Sequence, residues 1–276
     1  MEFKDKTVII TGGSQGVGAA AARAFANAGA NLVLAARGRK KLDKIAEELR
    51  DRTRVEIVPM DVSDPDACTN LFKKAHFEFG DVHVLVNNAG FHQRGLVETI
   101  SVEDLCKMID VNLRAPIILC RHAIQSIREA GGGAIINVAS LAGRTPVPGA
   151  ATYSASKFGL RAFTFALAEE LADTNIKVAV VSPGPIDTGF IMSNIDIVTD
   201  LTFSQPISTA DEVADEILTL CSNNKRERSM PPVSGLLTTL TYLWPDLGRI
   251  MRPLLEKKGK RVKRVLKARL RQQESP

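Results

Sequence analysis

The chain has 276 residues, 45% apolar and 24% charged, which suits one large α/β domain with a sizeable core. Its net charge of +5 is uneven: residues 245–276 hold eleven Lys or Arg against Asp246, Glu256 and Glu274, a local +8, so the other 244 residues carry −3. That distribution argues against nucleic-acid binding by the main domain.

Four scattered cysteines (Cys68, Cys106, Cys120, Cys221) suit reduced thiols rather than a disulfide framework. No HxxH or HExxH pattern occurs, so no metal is expected. MEFKDKTVII lacks the pattern of a secretory leader, and no apolar run has the length of a membrane span. The expected location is cytoplasmic.

In chain order, TVIIT (7–11) is a strand-like run, and an alanine-rich helical pattern follows from Gly16 to Ala28. NLVLAA (31–36) is a second strand, followed by the charged helix KKLDKIAEELR. VEIVPMD (55–61), VHVLVNN (82–88), AIINVAS (134–140) and KVAVVSPG (177–184) are further short apolar runs, each ending in small or polar residues. Strands separated by helical segments imply βαβ units, and continuous apolarity implies a parallel sheet covered on both faces. Ligands of such sheets sit outside the carboxyl ends of the strands. RSMPPV (228–233) has the composition of a last strand before the basic tail.

Two stretches carry chemistry. TGGSQGVG (11–18) lies between a strand and a helix. Gly12, Gly16 and Gly18 let the backbone approach a pyrophosphate, and the helix N-terminus supplies free N–H groups. ATYSASK (151–157) places Tyr153 and Lys157 one helical turn apart. A phenol with a reference pKa of about 10 needs about 3–4 kcal/mol of help to exchange protons near neutrality. An ammonium about 4 Å away supplies roughly 4 kcal/mol at an effective dielectric of about 20. The spacing therefore predicts a phenol activated by its neighbouring lysine.

TGxxxGxG, NNAG (87–90), Asn112, Ser140 and Tyr153-x-x-x-Lys157 together resemble the short-chain dehydrogenase/reductase family, from about Lys6 to Ser222. The resemblance implies a doubly wound Rossmann domain with a seven-stranded parallel sheet in the order 3-2-1-4-5-6-7. That domain would span residues 1–235, with a helical extension over 236–276. It implies hydride transfer between a nicotinamide cofactor and a carbonyl/alcohol pair. Ser140 would orient the substrate oxygen and Tyr153 would exchange its proton. Lys157 would also hold the nicotinamide ribose, and Asn112 would hold a relay water. Asn88, Ala89, Gly90, Asp61 and Val62 would line the adenosine side. Pro183, Gly184, Ile186 and Thr188 would meet the carboxamide.

The end of the second strand discriminates between cofactors. An acidic residue there would favour NAD(H), but the residue is Ala36, followed by Arg37, Arg39, Lys40 and Lys41. Arg37, with Ser14, suits a 2′-phosphate, so NADP(H) is expected. Many NADP-using relatives carry a basic residue where this chain has Gln15, which would still line the phosphate turn.

The loops LAGRTPVPGA (141–150) and FIMSNIDIVTDLTF (190–203) are largely apolar and suit a hydrophobic carbonyl or alcohol. Arg94 and Arg144 are the candidates for an anionic substrate group. A binding-only sensor on the same fold is the alternative, but it would not need the phenol. In the tail, Ile250, Met251, Leu254, Leu255, Val262, Val265, Leu266 and Leu270 fall near helical spacing among basic residues. Pro253 and Gly259 are expected to kink or divide that helix. The pattern suits an anionic membrane surface, the domain itself, or a second subunit, since relatives often form dimers or tetramers.

Overall fold

The computed structural model describes residues 1–187, 195–196 and 198–273. Seven parallel strands form one sheet in the order β3-β2-β1-β4-β5-β6-β7, as the sequence implied. They are β1 (Thr7–Thr11), β2 (Asn31–Ala36), β3 (Val55–Pro59), β4 (Val84–Asn87), β5 (Gly133–Val138), β6 (Ile176–Pro183) and β7 (Glu227–Met230). Alternate residues of each strand point to opposite faces, so two cores form. Val8, Ile10, Leu32, Leu34, Val84 and Val86 pack under α1 (Gly16–Asn27), α2 (Arg39–Leu49) and the helix Ala210–Ser222. Ile9, Val33, Leu85, Ile135 and Val178 pack under α3 (Pro65–Phe79), α5 (Ala115–Glu129) and α6 (Ala151–Glu170). Both faces are thereby dry, which is why the strands read as continuous apolar runs.

α4 (Val102–Ile109) passes into α5 through a π-helical turn, Asp110–Arg114, that carries Asn112. Such a turn interrupts the regular hydrogen-bond ladder and recurs at functional sites. α7 (Ala210–Ser222) opens with a capping box in which Thr209 and Glu212 satisfy each other's backbone donors.

Two further helices follow β7: α8 (Pro232–Leu243) and α9 (Pro245–Gln273). The boundary expected at residue 235 falls inside α8. α9 runs unbroken through Pro253 and Gly259, so of the expected kink or division, the division does not occur. Pro253 is exposed, so water can meet the carbonyl left without its N–H partner. Gly259 is buried against the loop ahead of it, and a Cβ there would lie 1.7 Å from the Asp200 carbonyl oxygen. The glycine is a contact point rather than a breaker.

Around Gly259, α9 is pinned to Ile195, Asp196 and residues 198–204. Val262 and Leu266 pack on Ile195, Val198 and Phe203. Lys263 Nζ donates to the Val198 carbonyl at 2.6 Å and faces Asp200 at 3.5 Å, while Lys267 pairs with Asp196. Part of the basic tail therefore serves the domain's own packing. Among the described residues, no helix is long and apolar enough to cross a membrane.

Candidate active site

The carboxyl ends of β1, β4, β5 and β6 open into one cleft of about 1940 Å³. At the end of β1 the chain turns through Gly12 at φ 66° into α1, which starts at Gly16. A Cβ on Gly18 would lie 2.1 Å from the Gly12 carbonyl oxygen, so only glycine lets the helix start so close to the strand. The turn is braced from β4: Asn88 Nδ2 donates to the carbonyls of Thr11 (3.0 Å) and Gly12 (3.2 Å). Thr11 Oγ1 in return accepts from the N–H groups of Asn88 and Ala89, each at 3.1 Å. The result is a backbone cradle beneath a helix N-terminus, the shape and polarity that a pyrophosphate fits.

Ser14, Gln15, Arg37, Arg39, Lys40 and Lys41 line the same end of the cleft. Lys41 Nζ donates to Gln15 Oε1 at 2.6 Å, so Gln15 brings a cation to the glycine turn although it carries none itself. Asp61, Val62, Asn88, Ala89 and Gly90 line the cleft next to this basic end. Burial raises the Asp61 carboxyl, but hydrogen bonds from Ser63 and the charges of Arg37 and Lys107 outweigh it and hold it below the usual range. Pro183, Gly184 and Ile186 lie across from them on the β6 side. Thr188 lies outside the described residues, as do residues 190–194 and 197 of the loop that begins at Phe190.

Ser140, Tyr153 and Lys157 meet at the centre. Ser140 follows β5 and caps a short 3₁₀ turn, its Oγ accepting from Ala142 N at 3.1 Å. α6 presents Tyr153 and Lys157 on one face. The Tyr153 hydroxyl is hydrogen-bonded to the Ser140 side chain.

The lysine holds a second partner besides the tyrosine. Lys157 Nζ donates to the Val138 carbonyl at 2.8 Å and lies 5.9 Å from the centroid of the tyrosine ring. A buried ammonium without a carboxylate takes the nearest acceptor, here the carbonyl at the end of β5. Desolvation lowers Lys157 to about 8. Burial also raises the phenol of Tyr153, opposed by the Ser140 hydrogen bond and by the charge of Arg94. Arg94 is thus a second cation acting on the phenol, beside the Lys157 ammonium over its ring.

Asn112 is fully buried and its amide is occupied. Nδ2 donates to Phe91 O (2.8 Å) and Ser156 Oγ (3.1 Å), and Oδ1 accepts from Phe91 N (2.8 Å). It therefore ties the loop after NNAG to α6.

Sequence reasoning missed His92, whose ring stacks on Tyr153 with centroids 3.9 Å apart. It belongs to no motif; its only signal was a position two residues past NNAG. Of the two candidate anion binders, Arg94 lines the cleft and makes no ion pair among the described residues. Arg144 is occupied. With Arg161 it clasps Glu227 on β7, and it also donates to Thr239 Oγ1 at 2.6 Å. Beyond Tyr153 the cleft continues between apolar walls that include Leu141, Val147, Leu201, Leu237, Met251 and Leu255.

A parallel sheet with this glycine turn and a serine, tyrosine and lysine at its carboxyl edge defines a nucleotide-binding oxidoreductase domain. The chain matches the short chain dehydrogenase family over residues 6–196, and it belongs to that family. It is 33% identical over 225 residues to the 3-oxoacyl-(acyl-carrier-protein) reductase FabG of Chlamydia muridarum, covering 79% of this chain and 91% of that one. It is also 33% identical over 194 residues to the oxidoreductase BOA17 of Botryotinia fuckeliana, 70% of each chain. Among solved structures it resembles the L-sorbose reductase of Gluconobacter frateurii, complexed with NADPH and L-sorbose. There the TM-score is 0.74 at 28% identity, covering 83% of this chain and 97% of that one.

Proposed function

We propose that the protein reduces a hydrophobic, lipid-like ketone or aldehyde to the alcohol with NADPH. The observation that carries this reading is the continuity of one cleft. It runs from a basic end at Arg37 and Lys41, past Ser140, Tyr153 and Lys157, into apolar walls.

The donor set fits a dinucleotide. The glycine turn receives the pyrophosphate, and Arg37, Lys41 and Ser14 receive a 2′-phosphate. No carboxylate stands at the end of β2 to repel it, because that residue is Ala36. When bound, the reduced nicotinamide supplies the hydride. Ser140 holds the substrate oxygen while Tyr153, bonded to the same serine, gives that oxygen its proton. Lys157 and Arg94 keep the surroundings positive as the phenol loses its proton. Apolar walls exclude water and select the carbon skeleton. The sorbose reductase, complexed with NADPH, and the reductase activity named for the FabG relative support the same direction.

The test is a panel of carbonyl compounds of graded hydrophobicity, including a hydrophilic ketose, followed by NADPH absorbance with NADH as control. Oxidation of NADPH that rises with chain length supports the proposal. A preference for NADH, or for the ketose, overturns it. Tyr153→Phe is expected to lower turnover by about 10²–10⁴-fold while NADPH still binds; loss of binding alone would point to a structural role for the phenol.

A further inference from the structure

We propose that the apolar face formed by α8 and the first half of α9 docks this protein on an anionic lipid surface, with the cleft mouth beside that surface. Among the described residues, ten of the sixteen exposed large apolar side chains lie between Val233 and Val265, so the exposure is concentrated on these two helices. Leu236, Leu243, Trp244, Leu247, Ile250 and Leu254 are all at least partly bare, with Ile250 74% and Leu254 73% exposed. Leu247, Ile250 and Leu254 follow the spacing i, i+3, i+7 and form one stripe of α9. A neighbouring stripe of the same helix, Gly248, Met251 and Leu255, lines the cleft. One helix therefore presents an apolar face to the outside and a wall to the substrate cavity.

Charge identifies the occupant. The inward lysines of α9, Lys263 and Lys267, hold Asp196, Val198 and Asp200. Lys257, Lys260, Arg261 and Arg264 are exposed and make no ion pair among the described residues. Apolar side chains flanked by cations on one helix match the boundary between acyl chains and anionic headgroups. A second copy of this chain would bring together two stretches of net charge +8, which repel. A lipid surface supplies the opposite charge and the apolar depth together. It also places a hydrophobic substrate at the cleft mouth. That last consequence rests on the function proposed above; the docking itself does not.

The experiment is co-sedimentation of the full chain with phosphatidylcholine vesicles, with and without phosphatidylglycerol. The protein is expected to pellet with the anionic vesicles, weakly with the neutral ones, and less as salt rises. Ile250→Glu with Leu254→Glu is expected to lower vesicle affinity at least about tenfold. Lys257→Gln or Arg261→Gln is expected to lower it about fivefold each. These four positions lie outside the cleft, so thermal unfolding and NADPH turnover of a dissolved ketone serve as controls for an intact fold. Truncation is a poorer test, because it also removes the helix that holds residues 198–204.

Equal pelleting with both vesicle types, or pelleting indifferent to the two glutamates, overturns the proposal. So does a dimer in solution that Ile250→Glu dissociates, since a second copy then covers the face. Vesicle binding without turnover of any hydrophobic carbonyl leaves docking in place and refutes the substrate reading alone.

Discussion

The imidazole of His92 lies flat on the phenol of Tyr153, with ring centroids 3.9 Å apart and planes 8° apart. Burial, reinforced by the charges of Arg94 and Lys157, pushes that imidazole from 6.5 down to about 3. The folded chain therefore declines a proton that the unfolded chain accepts between those values. Its contribution to stability is complete above about 6.5 and is lost as the pH falls toward 3, by at most about 1.4 kcal/mol per unit. His92→Phe keeps a ring on the phenol and removes the titration. Urea unfolding at pH 7 and pH 5 is expected to show the variant losing about 1–2 kcal/mol less than the parent. Parallel losses would show that the ring is not desolvated in solution.

Arg94 governs a second pH dependence. Its guanidinium acts on the phenol from the loop after NNAG, and a backbone bond from Gly95 N to Gly149 O (3.0 Å) holds that loop beside the start of α6. Removing the charge leaves burial to raise the phenol further. Arg94→Gln is expected to move the alkaline limb of the reduction rate upward by about one pH unit. Alcohol oxidation near pH 8, which needs the phenolate, is expected to fall by about tenfold. An unmoved limb with a raised KM only for acidic substrates would instead make Arg94 a substrate-binding residue.

How far the sequence anticipated these relationships depends on their range. Short apolar strands and glycines at fixed spacing are local signals, so the parallel sheet and the glycine turn were readable, while the strand order came from the family resemblance. Tyr153 and Lys157 are one helical turn apart, so their shared face was readable too. What else holds the lysine was not, because its acceptor is the Val138 carbonyl at the end of β5. The same limit hid the Gln15–Lys41 bond, which joins α2 to the glycine turn across 26 residues. It hid the docking of Gly259 as well. Read alone, a glycine in a helix signals weakness, and only the approach of Asp200 shows why it is there.

Glu227 ties β7 to α6 and to the loop after β5 through Arg161 and Arg144. Burial raises its carboxyl, but hydrogen bonds and charges from Arg161 and Arg144 outweigh burial and keep it low. Arg161 Nε and Ser182 Oγ approach the same Oε1 at 2.8 and 3.0 Å. Glu227→Gln leaves two arginines sharing a neutral amide, and a loss of about 3 kcal/mol is expected in chemical unfolding. Because the folded carboxyl is depressed, this contribution is present above the unfolded pKa and disappears as the pH falls through the folded one. The parent and variant are therefore expected to converge in acid. A difference that does not shrink at all as the pH falls below 4.5 would mean that the arginines pack by shape rather than by charge.

Gly259 connects the tail to the cavity. A Cβ there would overlap the Asp200 carbonyl at 1.7 Å, and Leu201, Thr202 and Ser204 just beyond Asp200 line the cleft. Gly259→Ala gains up to about 1 kcal/mol of helix propensity. Relieving the overlap requires α9 and residues 200–204 to separate, with a cost of about 1–3 kcal/mol from strained packing. The docking loss is expected to exceed the propensity gain. Amide exchange should therefore quicken in residues 198–204 and in α9 around position 259, with β1 to β6 unchanged. The KM for apolar carbonyls is expected to rise as that wall loosens, while the turnover number changes little because Ser140, Tyr153 and Lys157 stand on other elements. A variant that is stabilised overall, with slower exchange in both segments, would show that α9 does not rest on Asp200 in solution.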